Sequence, residues 1–118
     1  QAVLAKRRHL LRFQNVLDHI TTHLDQRFGV PDLAKIACME RAHFTTRFRE
    51  AFGVPPAKYV LAQRLDKAKK LLQTTDAPLA DIANQTGFSD AFHLSKTFKA
   101  HFTIPPKTYR ATGPQITP

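Results

Sequence analysis

Apolar residues recur along this chain at the three- and four-residue intervals that are typical of amphipathic helices. The first set consists of Phe13, Val16, Leu17, Ile20 and Leu24. This spacing predicts a helix over residues 13–27. Residues 1–14 are rich in lysine and arginine, and we interpret them as a basic linker or the start of that helix.

Six more helices follow from the same periodicity and from the glycines and prolines that interrupt it. They are predicted over residues 30–37, 41–51, 57–73, 79–86 and 91–101, with a short last helix opened by Pro105-Pro106. In the longest helix the predicted inner stripe is Leu61, Leu65, Ala68 and Leu72, and Arg64 falls on another face. The sequence shows no strand pattern, so it predicts an all-α fold of seven helices.

The chain also repeats itself. Residues 30–39 align with residues 79–88 at an offset of 49, and after one extra residue the offset becomes 50. The aligned landmarks are Phe44, Phe48, Phe52, Val54, Pro55, Pro56 and Tyr59 with Leu94, Phe98, Phe102, Ile104, Pro105, Pro106 and Tyr109. Each copy reads as a short helix, a tight turn and a longer helix, which predicts two helix-turn-helix units whose aromatic residues form the cores.

These patterns predict five segments. They are a basic linker or helix start at residues 1–14, a first helix-turn-helix subdomain at 15–56, a linker helix at 57–73, a second helix-turn-helix subdomain at 74–111 and a disordered tail at 112–118. Because the chain begins with Gln1 rather than Met, we expect it to be a fragment of a longer protein. As a fragment we expect it to be monomeric.

Charge indicates the partner. The chain holds 18 Lys and Arg against 9 Asp and Glu, for a formal net charge of +9 and a pI near 10.2. Such a balance favours a polyanion, and nucleic acid more than an anionic membrane, because neutralised phosphates release condensed counterions. The single cysteine, Cys38, excludes an internal disulfide. No run approaches the roughly 18 apolar residues of a membrane span, and there is no signal-peptide pattern.

Catalytic and metal chemistry have little support in the sequence. His19 and His23 stand four residues apart on one helix, but no third ligand lies near them in the sequence, so we expect a surface pair and no metal. Cys38 has no histidine or carboxylate that the sequence suggests as an activating partner. There is no glycine-rich phosphate loop. We therefore expect no cofactor and no enzymatic activity.

Several motifs resemble the DNA-binding domain of the AraC/XylS family of bacterial transcription regulators. They are residues 64–76, Asp81-Ile82-Ala83, Gly87-Phe88-Ser89-Asp90, Phe98-Lys99 and residues 105–110. The resemblance covers residues 15–111. It implies two homeodomain-like helix-turn-helix subdomains on a long joining helix, each placing its second helix in the major groove, about 10 base pairs apart. It also implies a sequence-specific regulator of the bacterial cytoplasm and nucleoid. We expect an activator that recruits RNA polymerase, and a full protein with a preceding sensor or dimerisation domain.

The resemblance also assigns site residues. The predicted base contacts are Arg41, Ala42, Thr45, Thr46, Phe92, His93 and Lys96. The predicted contacts to the DNA backbone are Arg49, Ser95, Lys99, Lys107, Thr108 and Arg110. Lys96 is the strongest base reader, because lysine donates to guanine O6 and N7. Phe92 has two interpretations, which are contact with a thymine methyl group or packing under the start of its helix.

Two departures from the family pattern concern the first turn. Cys38 aligns with Gly87, at a position that often needs a positive φ. Glu40 stands where a serine cap is usual, and we expect it to be a poorer cap that repels phosphate. An alternative function is a basic helical module that docks on an acidic protein such as RNA polymerase and binds DNA without sequence preference.

Overall fold

The computed structural model describes the backbone of residues 2–112 and the side chains from residue 11 onward. Within that range it contains seven helices and no strand, which confirms the all-α prediction. The helices are α1 (Ala2–Thr22), α2 (Val30–Ile36), α3 (Arg41–Phe52), α4 (Pro56–Thr74), α5 (Leu79–Gln85), α6 (Ala91–Phe102) and α7 (Pro106–Thr112). None of these helices is long and apolar enough to cross a membrane.

Five helices begin and end within one residue of the predicted bounds, the last helix begins at Pro106 in the predicted Pro105-Pro106 pair, and α1 differs. It is already helical at Ala2, because residues 2–12 are mostly good helix formers. It ends at Thr22, five residues before the predicted end, because the carbonyls of Leu24 and Gln26 accept hydrogen bonds from the guanidinium of Arg64. The predicted tail lies outside the described residues except for Thr112, the last residue of α7.

The described chain forms two compact units. The first comprises the residues up to His23 together with Arg27–Ala62. Its buried residues include Phe13, Val16, Ile20, Leu33, Ala34, Ala37, Phe44 and Phe48. The ring of Phe13 contacts those of Phe44, Phe48 and Phe52 at centroid distances of 6.3, 6.0 and 5.7 Å. Phe52 itself is half-buried, so it borders the core that the sequence assigned to it.

The second unit comprises Leu24–Gln26 and the described residues from Gln63 onward. Its core holds Leu65, Ala68, Leu72, Ile82, Ala83, Phe88, Leu94, Phe98 and Tyr109. The ring of Phe98 lies 5.8 Å from that of Tyr109 and 4.6 Å from that of the half-buried Phe102. The ammonium of Lys69 stands 5.1 Å from the Phe102 ring centroid, so a cation–π contact covers the edge of this core.

The prediction for the inner stripe of α4 was wrong at two positions. Leu61 is 38% exposed, whereas Arg64 is only 7% exposed. The buried row on this helix consists of Pro56, Val60, Arg64, Ala68 and Leu72, with Leu65 beside it. The row is a regular four-residue repeat. A charged residue occupies its centre because its guanidinium has backbone acceptors in the interior.

The turns of the two repeats share one geometry. The N–H of Met39 donates to the carbonyl of Ala34, and that of Phe88 donates to the carbonyl of Ala83, both at 2.9 Å. Cys38 has φ 57°, like Gly87 with φ 79°, which confirms the positive φ expected there.

The ends of the longer helices repeat this pattern with the residue types exchanged. Gly53 follows α3 with φ 81°, and Thr103 follows α6 with φ 71°. Each repeat therefore holds one glycine and one bulkier residue in the left-handed region, where a side chain adds strain.

Candidate nucleic-acid interface

The first candidate surface is the outward side of α3. Its N-terminus is capped by Glu40, whose carboxylate accepts a hydrogen bond from the N–H of Ala42 at 2.9 Å. Glu40 therefore does cap the helix, because its side chain reaches a free N–H of the first turn, and its strength relative to serine stays a prediction. The fully buried rings of Phe44 and Phe48 fix which side of the helix faces out.

The outward side of α3 is polar and mostly exposed. The exposed predicted site residues are Arg41, Ala42, Thr46 and Arg49. Thr45 is half-buried, and its hydroxyl donates to the carbonyl of Arg41 at 3.0 Å. That hydroxyl keeps acceptor capacity but has used its proton, so Thr45 is a restricted base reader.

The second candidate surface is the outward side of α6. Asp90 caps this helix, since its Oδ1 accepts from the N–H of His93 at 2.7 Å. Leu94 and Phe98 are fully buried and hold the helix against its core. This helix contains no acidic residue. Its exposed side therefore has no like charge to oppose a phosphate backbone.

The side chains on this surface include a large exposed aromatic ring. Phe92 is 75% exposed, which excludes the alternative that it packs under the start of the helix. His93, Lys96 and Lys99 are exposed beside it, and Ser95 is half-buried. An exposed ring next to two cations suits a groove that offers both methyl groups and hydrogen-bond acceptors.

The imidazole of His93 is held in place. Its Nδ1 lies 3.1 Å from the hydroxyl oxygen of Ser89, and its ring meets the Phe88 ring edge-on at 5.2 Å. Sequence reasoning did not find this role of Ser89. The one-residue insertion between the repeats was the available signal.

The three residues after the second Pro-Pro that are predicted to contact the DNA backbone differ in exposure and in hydrogen bonding. Lys107 and Thr108 are exposed at the start of α7. The guanidinium of Arg110 donates to the carbonyls of Leu72, Thr75 and Ala77 at 3.3, 3.0 and 2.7 Å. Arg110 therefore holds the end of α4 and the loop after it, and its contact with phosphate stays a prediction.

The histidine pair lies at the end of α1 and directly after it. The rings of His19 and His23 are stacked with centroids 4.0 Å apart, and the Phe28 ring is 5.3 Å from that of His19. Burial lowers the pKa of His19, the neighbouring His23 lowers it further, and Asp32 opposes both. Among the described side chains, from residue 11 to residue 112, no cluster of three His, Cys, Asp or Glu residues is placed to hold a metal ion.

The chain matches a known family over most of its length. A family model described as a helix-turn-helix domain matches residues 33–112. The chain belongs to this family, the AraC-type helix-turn-helix domains, which are DNA-binding domains of transcriptional regulators and not an enzyme class.

Particular relatives agree with this assignment. The chain is 31% identical over 93 residues to a probable transcriptional regulator, LumQ, of Photobacterium leiognathi, covering 79% of this chain and 38% of the relative. It is 35% identical over 107 residues to an uncharacterised helix-turn-helix-type transcriptional regulator of Staphylococcus aureus, covering 90% and 14%. The chain thus spans well under half the length of these two proteins.

Solved structures share the fold. The DNA-binding domain of AdpA, described as a global transcriptional factor and solved in complex with a target DNA, matches with TM-score 0.79 and 33% identity. That match covers 82% of this chain and 87% of the other. An AraC-type regulator from Chromobacterium violaceum matches with TM-score 0.81 and 28% identity, covering 92% and 96%.

Proposed function

We propose that this chain binds specific double-stranded DNA sequences, with α3 and α6 each entering a major groove. The observation that carries the proposal is the outward side of α6, where exposed Phe92, His93 and Lys96 stand on a helix fixed by buried Leu94 and Phe98. The AdpA domain, solved with DNA bound, supports the same use of this fold.

The two helices differ in what they can read. On α6, lysine donates to guanine and an aromatic ring meets the methyl group of thymine. On α3, Ala42 offers a methyl group, Thr46 an exposed hydroxyl, and Thr45 a hydroxyl already bonded to its own helix. We propose that α6 contributes the larger share of sequence preference and that α3 contributes more to positioning.

Contacts with the DNA backbone complete the proposed interface. Arg41 belongs to either class, since its guanidinium can reach a guanine or a phosphate. The exposed cations Arg49, Lys99 and Lys107 would neutralise phosphates, with Ser95 and Thr108 as hydroxyl donors. Because each neutralised phosphate releases counterions, binding would weaken steeply with salt.

The full-length protein is proposed to regulate transcription at the bacterial nucleoid, as an activator that contacts RNA polymerase. The subdomains proposed for this task are residues 15–56 and 74–111, with residues 57–73 as the helix between them. The transcriptional regulators among its relatives support the regulatory role. Activation and the polymerase contact rest on the family resemblance.

The deciding experiment is the selection of bound duplexes from a random DNA pool at near-physiological salt. Two enriched blocks about 10 base pairs apart are expected if both helices read bases. One block would mean that a single helix reads sequence. Binding without any enrichment would contradict the proposal and favour the protein-docking module.

A further inference from the structure

The two repeats differ by one inserted residue at a decisive place. In the first repeat Met39 is followed directly by the capping residue Glu40, whereas in the second Ser89 stands between the corresponding Phe88 and Asp90. The inserted Ser89 lies two residues before α6 begins at Ala91. It therefore adds polar groups beside one proposed reading helix and not beside the other.

The groups that Ser89 adds both face one imidazole nitrogen. Its backbone N–H donates to Nδ1 of His93 at 3.4 Å, and its hydroxyl oxygen lies 3.1 Å from the same nitrogen. A backbone N–H can only donate, so this contact assigns Nδ1 as the unprotonated nitrogen whenever the ring is neutral. The ring proton is then on Nε2, at the edge of the ring that points away from Ser89.

Two further contacts fix where that proton is presented. Asp90 accepts a hydrogen bond from the N–H of His93 at 2.7 Å, which holds the backbone of the first turn. The Phe88 ring packs edge-on against the imidazole at an interplanar angle of 80°. Backbone, ring plane and tautomer are therefore all constrained in an exposed side chain.

We propose that Ser89 positions His93 so that its Nε2–H donates to a keto base, guanine or thymine, in the major groove. This inference rests on the DNA-binding function proposed above. Guanine presents only the acceptors N7 and O6 there, and thymine presents O4 beside its methyl group. Where these two bases present a keto oxygen, adenine and cytosine present an amino group, which disfavours a donor aimed at that edge, although adenine N7 also accepts. Aimed at the keto oxygen, His93 thus favours the strand that carries the keto base at one base pair.

The first repeat provides the matched comparison. His43 aligns with His93, and it lies on α3 in the repeat that lacks the inserted serine. Long-range proton–nitrogen NMR spectra of the labelled protein, recorded well above the pH at which histidine titrates, report the protonation of each ring nitrogen. We expect Nδ1 of His93 to show the signature of an unprotonated hydrogen-bond acceptor, and Ser89→Ala to shift it while leaving the His43 signals in place.

The functional test is selection from a random DNA pool with the wild type and six variants. The variants are His93→Ala, Ser89→Ala, Ser89→Thr, His93→Ala with Ser89→Ala, and the two reference variants Lys96→Ala and His43→Ala. The block read by α6 is identified as the block that Lys96→Ala alters. In the wild type we expect one position of this block to favour a keto base on one strand by about two- to tenfold, the effect of one hydrogen bond.

The variants separate positioning from simple loss of structure. His93→Ala should remove the keto preference, Ser89→Ala should reduce it, and Ser89→Thr, which keeps the hydroxyl, should restore it. In the His93→Ala background, Ser89→Ala should have no further effect on that position. His43→Ala should leave the preferences of this block unchanged.

Three results would overturn the inference. His93→Ala could weaken binding to all sequences equally, which would make it a phosphate contact. The position could favour adenine or cytosine, or Ser89→Ala could leave both the preference and the Nδ1 signal unchanged. In each of these cases the wild type still enriches a sequence, so the proposed function stands. If the wild type enriches none, both proposals fail.

Discussion

The guanidinium of Arg64 donates a hydrogen bond to the carbonyl of Thr86 at 3.2 Å, and both residues are buried. The same guanidinium also donates to the carbonyls of Leu24 and of Gln26, the latter at 2.9 Å. Burial lowers the pKa of Arg64, and the carboxylate of Asp25 opposes that shift. One charged side chain thus pairs three backbone acceptors in the second unit.

Replacement of this arginine should be costly. Arg64→Ala leaves three carbonyls without their donor, so we expect a loss of about 2–4 kcal/mol in the free energy of unfolding, measured by chemical denaturation. Lys67→Ala is the control, because Lys67 donates to the carbonyl of Gln85 at 3.2 Å on the exposed surface. It should cost less than about 0.5 kcal/mol. Equal losses would contradict the buried role of Arg64.

The turn glycines give a second prediction. A Cβ added to Gly87 would meet the Arg64 guanidinium and would lie 2.6 Å from the carbonyl oxygen of Leu24. A Cβ on Gly53 would meet nothing within 4 Å, although both glycines have positive φ. Gly53→Ala should cost only the backbone strain, about 1–2 kcal/mol. Gly87→Ala should cost about 3 kcal/mol or more in a thermal or chemical melt. Similar costs would mean that Arg64 moves aside freely.

Two phenylalanines on α6 should separate stability from binding. Phe92 is 75% exposed and Phe98 is fully buried. Phe98→Ala should cost about 3–5 kcal/mol of stability. Phe92→Ala should stay within about 0.5 kcal/mol of the wild type and weaken binding to the selected DNA. A stability loss in Phe92→Ala comparable to that in Phe98→Ala would contradict its exposed position.

Two lysines at the proposed interface should affect DNA binding in different ways. Lys96→Ala is expected to relax preference at one base pair and to cost about 1–3 kcal/mol on the selected site only. Lys107→Ala should weaken binding to all duplexes alike and reduce the slope of log affinity against log salt by about 1. Titrations of specific and scrambled duplexes at several salt concentrations measure both effects. Uniform weakening by Lys96→Ala would make that residue a phosphate contact.

The pKa of His19 predicts a pH dependence of stability. Its ordinary value is 6.5, and burial and then His23 lower it in the folded protein, while Asp32 acts in the opposite direction. The folded state therefore binds fewer protons than the unfolded state near this pH. The stability that the neutral ring contributes is complete above 6.5 and is lost as the pH falls through the lowered value.

Denaturation curves at several pH values provide the measurement. The free energy of unfolding should decrease below pH 6.5, and His19→Gln should flatten this part of the profile. A profile that does not respond to His19→Gln would assign the dependence to other groups.

The spacing of apolar residues, together with the glycines and prolines between helices, predicted most of the fold, because each core face carries apolar residues at regular intervals. The apolar spacing does not predict a position where a polar residue is buried for its hydrogen bonds. Arg64 occupies a core position of α4. Its hydrogen bonds to the carbonyls of Leu24 and Gln26 hold these two residues outside the predicted first helix. A pairing between residues about 40 positions apart leaves no local signal.

The sequence predicted which residues form the proposed site better than it predicted the hydrogen bonds that they make. The outward positions of Phe92 and Lys96 follow from the buried spacing of Leu94 and Phe98. The bonds that restrict Thr45 and Arg110 depend on where backbone carbonyls lie in space. The sequence shows that these side chains can donate, but only the folded structure shows which acceptor each one contacts.

The left-handed turn before α3 has a practical consequence. Cys38 is the sole cysteine of the chain, its thiol side chain is exposed, and it lies three residues before Arg41. A thiol-reactive fluorophore or spin label would therefore attach at one defined place beside a proposed reading helix. Such a label would report the proposed DNA binding from a single site, without any engineered cysteine.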